Sequence, residues 1–178
     1  MAKAISIIQP EKHNPFWQHL LGELAPLYEG QLEIVFPTEW NKHYYTWFHT
    51  MEQAGFRWEL QYSFDEIAKN IINPNLVFWF VTEDNIPQII LFGYSIPEED
   101  KKSFYLDTFA VKQRGKGIGN IVIDFLVRWA KTKHYNSLTL DTELKDEKGV
   151  PLKQFYEKHG FTVVSSFKNG DLLMKRML

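Results

Sequence analysis

The chain has 178 residues, 44% hydrophobic and 24% charged, with 20 Lys and Arg against 22 Asp and Glu. That length and balance fit one domain over residues 1–178 and exclude intrinsic disorder. A net charge of −2 with scattered basic residues argues against nucleic-acid binding, which needs clustered Lys and Arg. The absence of Cys removes disulfides, thiolate metal sites and a cysteine nucleophile together. Met1–Pro10 is a poor signal peptide, because Ser6 and Pro10 break its apolar stretch. The longest apolar run, Leu76–Val81, is far below a membrane span of about 20 residues. A cytoplasmic protein without a membrane partner is expected.

In chain order, Ala4–Gln9 alternates as a first strand. Asn14 caps a helix that has Pro15 at its first position, where a missing N–H costs nothing, and Phe16, Trp17, Leu20, Leu21 and Leu24 form its stripe. Thr38 predicts the cap of a second helix, Glu39–Ala54, closed by Gly55 and striped by Trp40, Tyr44, Trp47, Phe48 and Met51. Ser63 and Glu66 have capping-box spacing for a third helix ending before Asn73-Pro74. The pattern then changes to strands: Leu76–Thr82, a turn at Asp84–Pro87, Gln88–Ser95, and Ser103–Val111 after a charged loop. A helix from about Gly117 to Lys131 follows, with Ile118, Ile121, Val122, Phe125 and Trp129 on one face. Ser137–Thr142 is a strand and Pro151–His159 a short helix stopped by Gly160. Phe161–Phe167 and Asp171–Met177 form a hairpin around Asn169-Gly170. This order predicts an α/β fold, a mixed sheet with helices packed on it.

Arg114-Gly115-Lys116-Gly117-Ile118-Gly119 separates a strand from a helix start. Glycines there admit close approach of a ligand to the backbone, and a helix N-terminus adds partial positive charge, so the place suits a phosphate. A Walker loop does not occur, and the dinucleotide fingerprint needs Gly where Asn120 stands. A glycine-rich turn without a ligand is the plain alternative.

The R-x-x-G-x-G string of Arg114, Gly117 and Gly119 resembles the acyl-CoA pyrophosphate loop of the GNAT superfamily of acyl-CoA N-acyltransferases. Phe155-Tyr156-Glu157-Lys158-His159-Gly160-Phe161 is similar to that family's second signature, and the two lie at matching separation in one element order. The resemblance implies a central, mostly antiparallel sheet with helices on both faces. It implies acetyl-CoA as cosubstrate, held by Phe109, Ala110 and Val111 on the strand and by Arg114, Gly115, Lys116, Gly117, Ile118, Gly119 and Asn120 in the loop. Only Lys112 and Gln113 separate Val111 from Arg114, fewer residues than the family commonly has. The stretch from about residue 31 to 62 is also longer than usual and reads as an acceptor-side helical insert.

Acyl transfer to an amine needs a neutral amine, oxyanion stabilisation and a proton for the departing thiolate. Tyr156 matches the family's general acid, although Leu152, Phe155, Tyr156 and His159 also form a stripe that fits a core aromatic. Asp107 interrupts an apolar strand and is the foremost candidate base. A carboxylate bonded to its neighbours is its structural alternative, and Asp141, Glu143 or water are alternative bases. His43 and His49, like His13 and His19, are six apart, which is not the spacing of a helical zinc pair, so no metal is expected. The aromatics of the insert, Trp40 to Trp58, suit either core or an acceptor wall. The reading is an N-acetyltransferase acting on a small-molecule or peptide amine by direct attack. A longer-acyl transferase or a non-catalytic acyl-CoA sensor is the alternative, and a homodimer is open.

Overall fold

In chain order the computed structural model contains β1 (Ile5–Ser6), α1 (Phe16–Leu24), β2 (Leu32–Val35), β3 (Glu39–Trp40), α2 (Lys42–Gly55) and α3 (Phe64–Asn70). There follow β4 (Val77–Glu83), β5 (Ile86–Glu98), β6 (Lys101–Val111), α4 (Ile118–Thr132), β7 (Ser137–Thr142), α5 (Leu152–Lys158), β8 (Thr162–Ser166) and β9 (Leu172–Met177). The structure describes residues 4–98, 101–146 and 148–178. Residues 1–3 of the leader reading and 99–100 of the charged loop lie outside them.

Seven strands form one sheet in the order β2-β4-β5-β6-β7-β9-β8. Every adjacent pair is antiparallel except β6 with β7, which is parallel. The alternation of side chains along a strand divides the core in two. Val77, Trp79 and Val81 of β4 pack with α1 and α4 on one face. Phe78 and Phe80 turn the other way, against Phe48 and Met51 of α2 and Ile67 of α3. Helices therefore cover both faces, and β4 is buried on both sides. Each fully buried Leu, Ile or Phe side chain contributes about 1.5–3 kcal/mol to this arrangement.

Local signals decided several elements. Asn14 Oδ1 accepts from Phe16 N at 3.0 Å, although α1 opens at Phe16 with Pro15 at the cap position, one residue later than expected, and Ser63 and Glu66 complete both halves of the capping box on α3. Asp84 and Asn85 adopt positive φ, so β4 and β5 join through a two-residue turn and β5 starts at Ile86, earlier than expected.

The second helix differs from expectation. Glu39 and Trp40 pair with β1 instead of opening the helix, and Asn41 is the cap, accepting from Tyr44 N at 3.2 Å. Burial decides this. Trp40 is fully buried, stacks on Phe64 at 5.4 Å between centroids, and donates Nε1–H to Phe64 O at 3.1 Å. The first strand shrinks to Ile5–Ser6 because β3 offers it only two partners. The stretch 31–62, read as a helical insert, also carries β2, which has the edge of β4 as its partner.

Candidate functional site

The site arises where the one parallel pairing stops. β6 and β7 are in register only at Ser103 with Ser137, Phe104 with Leu138 and Tyr105 with Thr139. Beyond that point β6 stays with β5 as far as Val111, while β7 stays with β9 as far as Thr142. A cavity of about 890 Å³ opens there, with Leu106–Val111 on one wall and Leu140–Thr142 on the other. Glu143, which follows β7 on the cavity wall, pairs with Arg57, which follows α2.

A bulge shapes the β6 wall. Phe92 faces Thr108 and Gly93 faces Leu106, so Asp107 is the extra residue. Gly93 is required here, because a Cβ would meet the Phe104 ring and Tyr105 O at 2.6 Å. Asp107 Oδ2 accepts from the Tyr94 hydroxyl at 2.8 Å and Oδ1 from Thr108 Oγ1 at 3.0 Å. Burial pushes its carboxyl above the usual range, opposed by hydrogen bonds from Tyr94, Thr108 and Tyr62.

At one end of the cavity lies the glycine loop. Gly117 has φ +76° and ends the loop where α4 begins, so the unpaired N–H groups of the first helical turn face the site. A Cβ at Gly119 would lie 3.2 Å from the Phe155 ring, so α5 packs directly over the start of α4. His159 holds the two together, with Nδ1 2.9 Å from Asp124 Oδ1 and Nε2 3.0 Å from Asn120 Oδ1. The Arg114 guanidinium binds the Asp146 carboxylate and donates to Ala54 O at 3.2 Å.

This packing delivers Tyr156 to the cavity wall beside Phe155 and Phe161, with centroids at 5.1 and 5.6 Å. Burial alone pushes its phenol above the usual range, which keeps it protonated.

The acetyltransferase (GNAT) family profile matches residues 32–161. The chain belongs to the GNAT acetyltransferase family. Solved structures share the fold of this GNAT chain. A chain of the NatC complex bound to Gag peptide and CoA is 15% identical, with a TM-score of 0.66 over 83% of this chain and 99% of that one. PaiA N-acetyltransferase from Thermoplasma acidophilum in complex with coenzyme A is 15% identical, with a TM-score of 0.62 over 83% and 99%. The ribosomal-protein-S18-alanine N-acetyltransferase of Escherichia coli is 14% identical, with a TM-score of 0.59 over 83% and 94%. A search of curated proteins returns no match.

The cavity of this GNAT chain gathers Asp107, Phe109, Ala110, Val111, Arg114, Gly115, Gly117, Ile118, Gly119, Asn120 and Tyr156. Lys116 is exposed and stands outside the wall. Of the alternative bases, Asp141 accepts from the Tyr105 hydroxyl at 2.9 Å and Glu143 pairs with Arg57. Among the described residues no group of three His, Cys, Asp or Glu could hold a metal ion, and no helix is long and apolar enough to cross a membrane.

Sequence reading missed Glu52. It lines the cavity and is 1% exposed. Burial pushes its carboxyl up to about 8, and the negative charges of Asp107 and Glu66 act in the same direction. The available signal was its place four residues after Phe48, which puts a charge on the buried stripe of α2.

Proposed function

We propose that the protein is an acetyl-CoA-dependent N-acetyltransferase that moves an acetyl group to a primary amine by direct attack in a ternary complex. The observation that carries this reading is the parting of β6 from β7 at Tyr105 and Thr139. It frees backbone groups of Leu106–Val111 on a cavity that also meets the glycine loop and Tyr156. Family membership and neighbours solved with coenzyme A support it.

The loop fits a pyrophosphate. Gly117 adopts a positive φ that side chains rarely take, and the first-turn N–H groups of α4 have no intrahelical partner. With the Arg114 guanidinium engaged by Asp146 and Ala54, the backbone N–H groups from Gly115 to Asn120 carry the phosphate contacts. The freed edge of β6 at Phe109–Val111 takes the pantetheine arm and, through a backbone N–H, the developing oxyanion.

The acceptor enters as an ammonium ion and loses one proton to the Asp107 carboxylate. Its neutral nitrogen attacks the thioester carbon, the C–S bond breaks, and Tyr156 hands its proton to the thiolate. A second proton then leaves nitrogen, and the tyrosine is reprotonated. The balance is acetyl-CoA plus ammonium giving amide, free thiol and one proton.

The test is release of free CoA thiol from acetyl-CoA across a panel of amines. Amine-dependent thiol release with acetylated product is expected. Binding of CoA with no thiol release for any amine would make the domain a binding module.

A further inference from the structure

Glu52 is the one cavity-wall carboxylate with a buried oxygen left unanswered among the described residues. Its Oε1 accepts from Tyr62 N at 3.0 Å, while Oε2 is enclosed and has no hydrogen-bond partner. Its only ion-pair neighbour among the described residues is His49 Nδ1, 4.0 Å away. Position places it on the acceptor side. A Cβ at Gly55 would lie 3.4 Å from that of Ala110, so the last turn of α2 crosses β6 there. Glu52, one turn earlier on α2, lies close enough to Asp107 for the charge of Asp107 to act on it.

The wall is acidic beyond what one amine requires. It carries Glu52, Asp107, Asp141, Glu143 and Asp171 against Arg114 alone, whose guanidinium is already bound to Asp146. Glu143 is answered by Arg57. The reacting nitrogen must surrender its positive charge before it attacks, so it is not a lasting counter-ion for both the half-buried Asp107 and the buried Glu52. A ligand that answers Asp107 and Glu52 together needs a second positive centre. The same wall carries apolar Phe56, Leu60 and Leu106, which suits an aliphatic spacer. His49, Tyr62, Asp107 and Glu66 are the titratable groups about Glu52, and none of them is a fixed cation.

We propose that the acceptor is a small aliphatic amine with two cationic centres, and that Glu52 is the specificity-determining residue that takes the ammonium that does not react. The inference rests on the transferase reading above. Because burial holds the free carboxyl up near 8, a cation arriving there expels its proton.

Thiol release is measured with pentylamine and with cadaverine, for the parent and for Glu52→Gln and Glu52→Asp. The parent should favour the diamine by about 30-fold or more in kcat/KM, the scale of one buried charge contact. Glu52→Gln should reduce cadaverine to the level of pentylamine and leave the acetyl-CoA Kd unchanged, with Glu52→Asp between. Thermal melts show whether each variant is folded. Equal rates for the two amines in the parent, or equal losses for both in Glu52→Gln, would overturn the proposal. Calorimetry of cadaverine binding to CoA-loaded protein in two buffers of different protonation heat supplies a readout apart from turnover. The parent should release a proton and Glu52→Gln should not; no difference between them also overturns it. If CoA binds yet no amine releases thiol, the transferase reading fails, while the calorimetry still decides whether Glu52 holds a dication.

Discussion

At Tyr156 a core aromatic and a proton donor occupy the same atoms except one. The ring contacts with Phe155 and Phe161 need no hydroxyl, so Tyr156→Phe should melt at nearly the parent temperature. Removing the donor should cut kcat by about 10²–10⁴-fold, with the acetyl-CoA Kd little changed. Turnover within a few-fold of the parent would leave Tyr156 as packing only. Asp107 is tested through pH. A base must be ionised, so the rate falls as pH drops through its pKa, and burial places that limb above the ordinary carboxylate value of about 3.9. Asp107→Asn should move or abolish the limb in a pH–rate profile, and an unaltered profile would pass the role to Asp141, Glu143 or water. Both positions were legible in the chain, one as a charge interrupting an apolar strand, the other inside a recognisable heptapeptide. Glu52 was legible only as a charge on the apolar stripe of α2, and its place at the site follows from what that helix covers.

The loop and the two helices that meet at it act as one element. Gly119 has open backbone geometry but no room, since Phe155 stands 3.2 Å from where a Cβ would be. Gly119→Ala should therefore shift the Phe155 ring by a few tenths of an ångström, disturb the α5–α4 junction and weaken acetyl-CoA binding by about tenfold, a cost near 1.4 kcal/mol by calorimetry. Unchanged affinity in folded protein would place the pyrophosphate elsewhere. The hold of His159 on Asp124 and Asn120 is part of the same junction and ties the end of the seven-residue signature helix to α4.

Across the molecule, Glu11 ties the start of α1 to the end of α4. Its buried carboxylate accepts from Trp17 Nε1 at 3.2 Å, Trp129 Nε1 at 3.0 Å and Asn14 Nδ2 at 2.6 Å, and pairs with Lys133 at 2.7 Å. Burial pushes its pKa up, but the bonds from Lys133, Asn14 and Trp129 outweigh that and hold it below the usual value. A carboxyl with a lowered folded pKa contributes stability above its unfolded value, and that stability is lost as pH falls through the folded one. Glu11→Gln should therefore cost about 2–3 kcal/mol near neutral pH in denaturant unfolding and flatten the loss of stability below about pH 4.5. Equal acid sensitivity of the variant and the parent would show that the network does not stabilise the fold.

The sequence by itself determined the features whose physics is local. Ser63 with Glu66, Asn169-Gly170 and the strand-to-helix turn at Gly115 and Gly117 each satisfy or strain backbone within a few residues, so their local conformation was legible without a partner in view. The tertiary structure decided everything that depends on a distant neighbour. Glu39 and Trp40 became a strand because Trp40 could bury itself against Phe64, overriding a plausible helix start. Leu32–Val35 became a strand because β4 had an open edge. The cavity exists because β6 and β7 bond to different partners beyond Tyr105 and Thr139, and Glu52 belongs to it because α2 crosses β6 there. Hydrogen bonds and burial between segments far apart in the chain set these outcomes, and no local pattern encodes them.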